Sequence, residues 1–163
     1  MKKNKLLYFL PIALISIMML FNVGTVNAKP PDEWIVANDY TLQWGYPAGG
    51  TLQDTWYEGG DTLDFITRDQ ITYVDFEFGN MRFKQVKLKV AGYGGWFERI
   101  DLYIYYTDTT YDRHNGVPEG SVRYYTINFN KVVDYVRISY YSGWFVEGRL
   151  EIDFIRLLWS YYT

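Results

Sequence analysis

The stretch Ser142-Gly143-Trp144-Phe145-Val146-Glu147-Gly148-Arg149-Leu150-Glu151-Ile152-Asp153-Phe154-Ile155-Arg156-Leu157-Leu158-Trp159 decides the architecture. Leu150, Ile152 and Phe154 alternate with Glu151 and Asp153, the period of two that marks a strand with one buried and one wet face. After Phe154 the apolar phase moves to Ile155, Leu157 and Trp159. Such a change needs an extra residue, so a β-bulge is expected near Phe154–Ile155, unless the strand is covered on both faces there. A shorter copy of the design stands at Gly95-Trp96-Phe97-Glu98-Arg99-Ile100-Asp101-Leu102-Tyr103-Ile104: a Gly-Trp-Phe turn, an Arg, then an alternating strand.

Working outward, short strands follow one another almost without pause. Residues 34–44 open the domain, and Gly45-Tyr46-Pro47-Ala48-Gly49-Gly50 reads as a turn. Residues 51–57 read as a short strand, ended by Glu58-Gly59-Gly60-Asp61. Residues 62–68 and 71–78 come next, the second alternating Val74, Phe76 and Phe78 with Asp75 and Glu77. In residues 82–90, Val86, Leu88 and Val90 alternate with Lys87 and Lys89. Residues 98–107 alternate Ile100, Leu102 and Ile104 with Asp101, Tyr103 and Tyr105, and residues 108–120 read as the longest loop. Residues 121–129, 132–141 and 149–159 complete eight or nine strands. No segment after residue 28 shows apolar spacing of three and four, so the expectation is an all-β, two-sheet antiparallel sandwich.

Composition agrees. The 163 residues are 48% hydrophobic and 20% aromatic, with 17 Tyr, 10 Phe and 6 Trp, enough for one domain and its core. Tyr and Trp suit pleated, half-buried surfaces. With no cysteine, the domain is held by its core, a metal or an oligomer rather than by disulfides.

Residues 1–28 read as a secretory signal peptide. Lys2, Lys3 and Lys5 precede an apolar run over residues 6–21, and Val26-Asn27-Ala28 offers a cleavage site before Lys29. Pro11 interrupts a rather long run, which leaves an uncleaved anchor as the alternative. Residues 29–33, with Pro30-Pro31, form a stiff lead-in, and 34–163 the sandwich domain. Taking the three leader lysines from 16 basic residues leaves 13 against 19 acidic ones, a net of −6. An acidic domain without a basic run excludes nucleic acid and, apart from the leader, an anionic membrane.

Two segments resemble a known pattern. Gly50-Thr51-Leu52-Gln53-Asp54 followed by Gly59-Gly60-Asp61-Thr62-Leu63-Asp64-Phe65 is similar to the opening of secreted galactose-binding-domain-like jelly rolls. Asp134-Tyr135-Val136-Arg137-Ile138 and Leu150-Glu151-Ile152-Asp153-Phe154-Ile155-Arg156-Leu157 resemble their final strands, which in many carbohydrate-binding modules end in an Ile-Asp-x-Ile-Arg run. The resemblance implies a non-catalytic jelly roll at a cell surface or beside secreted hydrolases. It also implies one structural calcium ion in many members, and sugar bound by end loops or by a sheet face. Glu58-Gly59-Gly60-Asp61 departs from the consecutive acids of the pattern, and the expectation is a free-standing module without an attached catalytic domain.

The paired turns Trp96-Phe97 and Trp144-Phe145 are the first ligand-binding candidates. Adjacent strand residues point to opposite faces, so one ring of each pair should face outward as a plate for a sugar's C–H face. The competing expectation is that the rings plug the ends of the core. Tyr103 and Tyr105 share an outward phase with Asp101, as Arg137 does with Tyr141. That stripe could hold a polyhydroxylated ligand by stacking and hydrogen bonds, form a contact between copies, or stabilise the sheet by cross-strand pairing.

Asp54, Glu58, Asp61 and Asp153, with Asp64 nearby, are oxygen ligands of the type calcium takes, against the alternative of a solvated acidic turn. His114, the single histidine, reads as a solvated residue of the long loop. Alone and without cysteine it builds neither a zinc site nor a nucleophile–base pair, and no carboxylate pair stands out for glycoside hydrolysis. The expectation is therefore a secreted or surface carbohydrate-binding protein without catalysis. Its alternative is a structural or assembly protein of the cell surface, self-associating through the same aromatic patches.

Overall fold

A computed structural model of the chain describes residues 32–67, 70–94, 96–143 and 147–159. The leader and the Trp144-Phe145 pair lie outside the described residues. Eleven strands run through the described chain: β1 (Glu33–Val36), β2 (Asp39–Gln43), β3 (Gly45–Gly49), β4 (Leu63–Thr67), β5 (Ile71–Met81), β6 (Phe83–Tyr93), β7 (Arg99–Tyr106), β8 (Tyr111–His114), β9 (Arg123–Thr126), β10 (Val133–Tyr141) and β11 (Arg149–Trp159). They pair antiparallel in two sheets. Sheet A has the order β3-β4-β11-β6-β9, with β1 also on β11, and sheet B the order β2-β5-β10-β7-β8. No helix among the described residues is long and apolar enough to cross a membrane.

β11 is the spine of sheet A. Leu150, Ile152, Ile155 and Leu157 are fully buried in the core between the sheets. Against β6 the register slips between Ile152 and Phe154, so Asp153 is the extra residue and the bulge lies just before its expected place. Phe154 is buried too, but apart from the main core: the cations of Lys87 and Arg156 cover it at 5.0 and 5.9 Å. Both expectations for this segment therefore hold at once. The bulge also divides the far edge of the strand, which pairs with β4 over Arg149–Ile152 and with β1 over Arg156–Trp159.

Several local readings are corrected. Residues 51–57 form a 3-10 helix, Leu52–Trp56, in place of a strand. The carboxylate of Asp54 accepts hydrogen bonds from the Thr51 amide (2.6 Å) and hydroxyl (2.9 Å), so a capping box prevails over the β propensity of Thr and Trp. Residues 34–44 split into β1 and β2, which lie in different sheets, and the expected turn at 45–50 is the edge strand β3. Pro47 is tolerated there because an edge strand needs fewer amide donors. The loop at 108–120 contains β8, and His114 on it is part-buried against the ring of Tyr125, 4.6 Å away. Its Nε2 is buried without a hydrogen-bond partner, and burial lowers its pKa, so it is not solvated.

Tyr140 fixes one end of the sandwich. It is fully buried, and its hydroxyl donates to the Glu98 carboxylate at 3.2 Å. A Cβ at Gly92 would stand 2.7 Å from its ring, and one at Gly148 2.7 Å from its hydroxyl. The end of β6 and the approach to β11 thus rest on a single aromatic ring, and only glycine lets them come so close.

Candidate functional site

Alternation on sheet B sends one set of side chains into the core and the other to the outer face. On β10 the outward set is Tyr135, Arg137, Ser139 and Tyr141; on β7 it is Arg99, Asp101, Tyr103 and Tyr105. Register then brings the set together in rows. Arg137 stands between Asp75 of β5 and Tyr103 of β7, and Tyr135 between Glu77 and Tyr105. β8 adds Arg113 beside Tyr103 and Tyr111 beside Tyr105, while β2 adds Gln43 beside Tyr73.

The centre of this face is a forked ion pair. Arg137 donates from Nε to Asp75 Oδ1 at 2.6 Å and from a terminal nitrogen to Oδ2 at 2.8 Å, and Gln43 donates to the same carboxylate at 3.3 Å. The two side chains are only 18% and 11% exposed, and the fork holds the guanidinium's pKa above its ordinary value. The cation lies over Tyr73, Tyr105 and Tyr135, at 5.0, 5.3 and 5.6 Å from their centroids. Tyr105 and Tyr135 stack at 4.5 Å, and Tyr111 leans on Tyr105 at 5.3 Å.

A second charge cluster flanks the rings. Asp101, nearly buried, accepts from Arg113 at 2.8 Å and from the Gly116 amide at 2.9 Å, with Arg99 at 3.2 Å. Arg113 also covers Tyr103, at 5.1 Å. Burial raises the pKa of the Tyr103 and Tyr135 phenols, which keeps them neutral at pH 7 and able to donate as well as accept. Trp44 extends the face at the β2 end. Directly after Gln43 the backbone turns left-handed (φ 62°), leaving its ring 63% exposed and 6.1 Å from Tyr73. The arrangement offers flat rings, neutral hydroxyls and a rigid charged fork on one surface, the chemistry that holds sugar rings by stacking and hydrogen bonds.

Of the sequence-level candidates, Tyr103, Tyr105 and Arg137 meet on this face. Tyr141 shares its phase but sits two residues beyond Ser139, opposite Arg99 and Ile71. Trp96 and Phe97 lie apart, in the turn before β7, and both rings are exposed, at 86% and 80%. The expected split of one ring inward and one outward fails because the pair sits in a turn, with Phe97 left-handed (φ 71°), rather than in an extended strand. Trp144 and Phe145 lie outside the described residues.

The calcium candidates are not gathered. Asp54 caps its own helix, Glu58 pairs with Lys87 at 3.4 Å, Asp153 pairs with Lys89 at 2.6 Å and Asp61 is exposed. Among the described residues no three acidic or histidine side chains stand close enough to share a metal. The residues that sequence reasoning missed are Trp44, Tyr73, Asp75, Tyr111, Arg113 and Tyr135. Asp75 and Tyr73 were legible as outward from the Val74-Phe76-Phe78 alternation, but nothing in the sequence places β5 beside β10.

No protein-family model matches the sequence, and no curated protein matches it. Solved structures do. The lectin-binding domain of lectinolysin, complexed with Lewis b, aligns at TM-score 0.54 and 13% identity over 80% of this chain and 100% of that one. A family 29 carbohydrate-binding module complexed with cellulohexaose aligns at 0.52 and 13%, over 81% and 93%. Chitosan-binding module 1 of a chitosanase/glucanase from Paenibacillus sp. IK-5 aligns at 0.52 and 15%, over 76% and 96%. Identities this low carry the fold and leave the ligand to the site itself. The chain folds as a two-sheet antiparallel jelly roll of the kind found in carbohydrate-binding modules.

Proposed function

We propose that the protein is a secreted, non-catalytic glycan-binding module that lays a sugar chain across the outer face of sheet B. The observation that carries this reading is the row of tyrosine rings held around the Arg137–Asp75 fork, continued by the exposed Trp44. Successive pyranose rings would stack on the tyrosines and on Trp44, with hydroxyls bonded to neutral phenols and to the rims of the ion pairs. The solved relatives were captured with Lewis b and with cellulohexaose, or are named for chitosan, which favours the same class of ligand here. Asp75 and Asp101, the acids embedded in the face, are both tied to arginines, a poor setting for the acid and base roles of glycoside hydrolysis. The leader reading belongs to this proposal, with an exported chain beginning at Lys29.

The test is tryptophan fluorescence of the purified protein, titrated with soluble β-glucans, mannans, galactans and chitosan. A saturable change with one class is expected, weakened about tenfold by Tyr135→Ala, the loss of one stacking partner. A flat response in the folded protein would instead move the aromatic face to contacts between copies, read by sedimentation.

A further inference from the structure

A cavity of about 180 Å³ opens on the outer face of sheet A, lined by Thr62, Lys89, Ala91, Tyr93, Glu151 and Asp153. Its origin is a small residue among large ones. On β6, Ala91 stands between Lys89 and Tyr93 on the same face, directly across from Glu151 of β11. The short side chain leaves a depression that its neighbours surround. Gly120, whose amide donates to the Val90 carbonyl at 2.8 Å, brings backbone alongside and forms a wall without a side chain.

The lining groups are held in place. Asp153 is fixed by Lys89 at 2.6 Å and by the Gly59 amide at 3.1 Å, and Arg149 stands 3.3 Å from Glu151. The Glu151 charge and its hydrogen bond raise the pKa of the exposed Tyr93 phenol, which remains neutral. The side walls thus combine an aromatic ring, two oriented carboxylates and an ammonium, the same mixture of stacking surface and hydrogen-bonding groups that suits a sugar.

Size and charge narrow the ligand. The space equals roughly six water volumes of about 30 Å³, and lies below the several hundred Å³ of extended-ligand pockets, so it takes one ring and not a chain. Around it stand Glu151, Asp153 and Glu119, whose carboxylate accepts from the Gly92 amide at 3.0 Å. Lys89 is already engaged by Asp153, and Arg149 is shared between Glu151 and Asp64. The balance is negative, so an acidic sugar is repelled.

We propose that this cavity is a second carbohydrate site, taking one neutral or amine-bearing pyranose unit, on the opposite side of the sandwich from the tyrosine face. It does not depend on the reading of that face. With both sites occupied, one copy would bridge two glycan chains.

The test follows amide shifts of the ¹⁵N-labelled protein during titration with glucose, galactose, mannose, glucosamine, N-acetylglucosamine and glucuronic acid. At least one of the first five is expected to shift the amides of Ala91, Tyr93, Gly120 and Glu151 saturably, and glucuronic acid none of them. Ala91→Leu fills the depression and Tyr93→Ala removes the ring, and each should weaken binding about tenfold or more. Both positions face solvent, and an unchanged spectrum elsewhere shows that the fold is kept. The proposal is overturned if no sugar of the panel moves these amides, if Ala91→Leu binds as the parent does, or if glucuronic acid binds as well as glucosamine. Amides of Tyr73, Tyr105 and Tyr135 report separately on the other face, so the two readings stand or fall apart.

Discussion

Arg137 does two jobs with one guanidinium: it neutralises a nearly buried Asp75 and spaces three tyrosine rings around its plane. Arg137→Ala leaves the carboxylate without its cation, and the expected cost is about 2–3 kcal/mol in urea unfolding. That lies below the penalty for a fully buried pair, because both groups keep some solvent. Arg137→Lys retains charge but not the fork, and should recover only part of the loss. A cost near zero for the Ala variant would mean that the rings, not the ion pair, hold this face. His114 carries a pH dependence of definite sign. Its folded pKa is lowered by burial, with a smaller opposing effect from Asp112, so the unfolded chain takes up the proton first. The stability it contributes is complete above about pH 6.5 and declines as pH falls toward the folded value. Melting midpoints should drop over that window in the parent and stay flatter in His114→Phe, where a ring still packs on Tyr125. Parallel curves for the two proteins would place the sensitivity elsewhere.

At the scale of the element, β11 shows what a period of two can and cannot disclose. Its phase change announced a bulge, and the structure puts the extra residue at Asp153. Deleting Asp153 restores a regular pleat with Leu150 and Ile152 still inward. Deleting Glu151 instead turns Leu150 and all that precedes it to the wrong face. Cooperative thermal unfolding by circular dichroism is expected for the first variant and its loss for the second; the reverse order would refute the bulge. Alternation was readable wherever one face is buried, which is why the sheets and the outward set of Tyr103, Tyr105 and Arg137 could be named beforehand. Neighbourhood was not. Arg137 meets a carboxylate 62 positions away, because β10 pairs with β5 and no local signal encodes that choice. Trp44 escaped notice for another reason: its exposure comes from a left-handed backbone at a strand end, where propensity suggests only a continuing strand. The misread 3-10 helix turned on one side chain, Asp54, reaching back three residues.

For the whole molecule, order in the chain and order in the sheet run against each other. β11, the spine of sheet A, follows every other strand among the described residues, yet β1, β4 and β6 all hydrogen-bond to it. Until residues 149–159 have left the ribosome those three strands have no common neighbour, and half of the core has no floor. Long-range pairing of this kind closes late and slowly. A chain that has not yet placed this strand is therefore an unclosed one, with the apolar faces of its partner strands uncommitted. One strand is the latch on which the other three close.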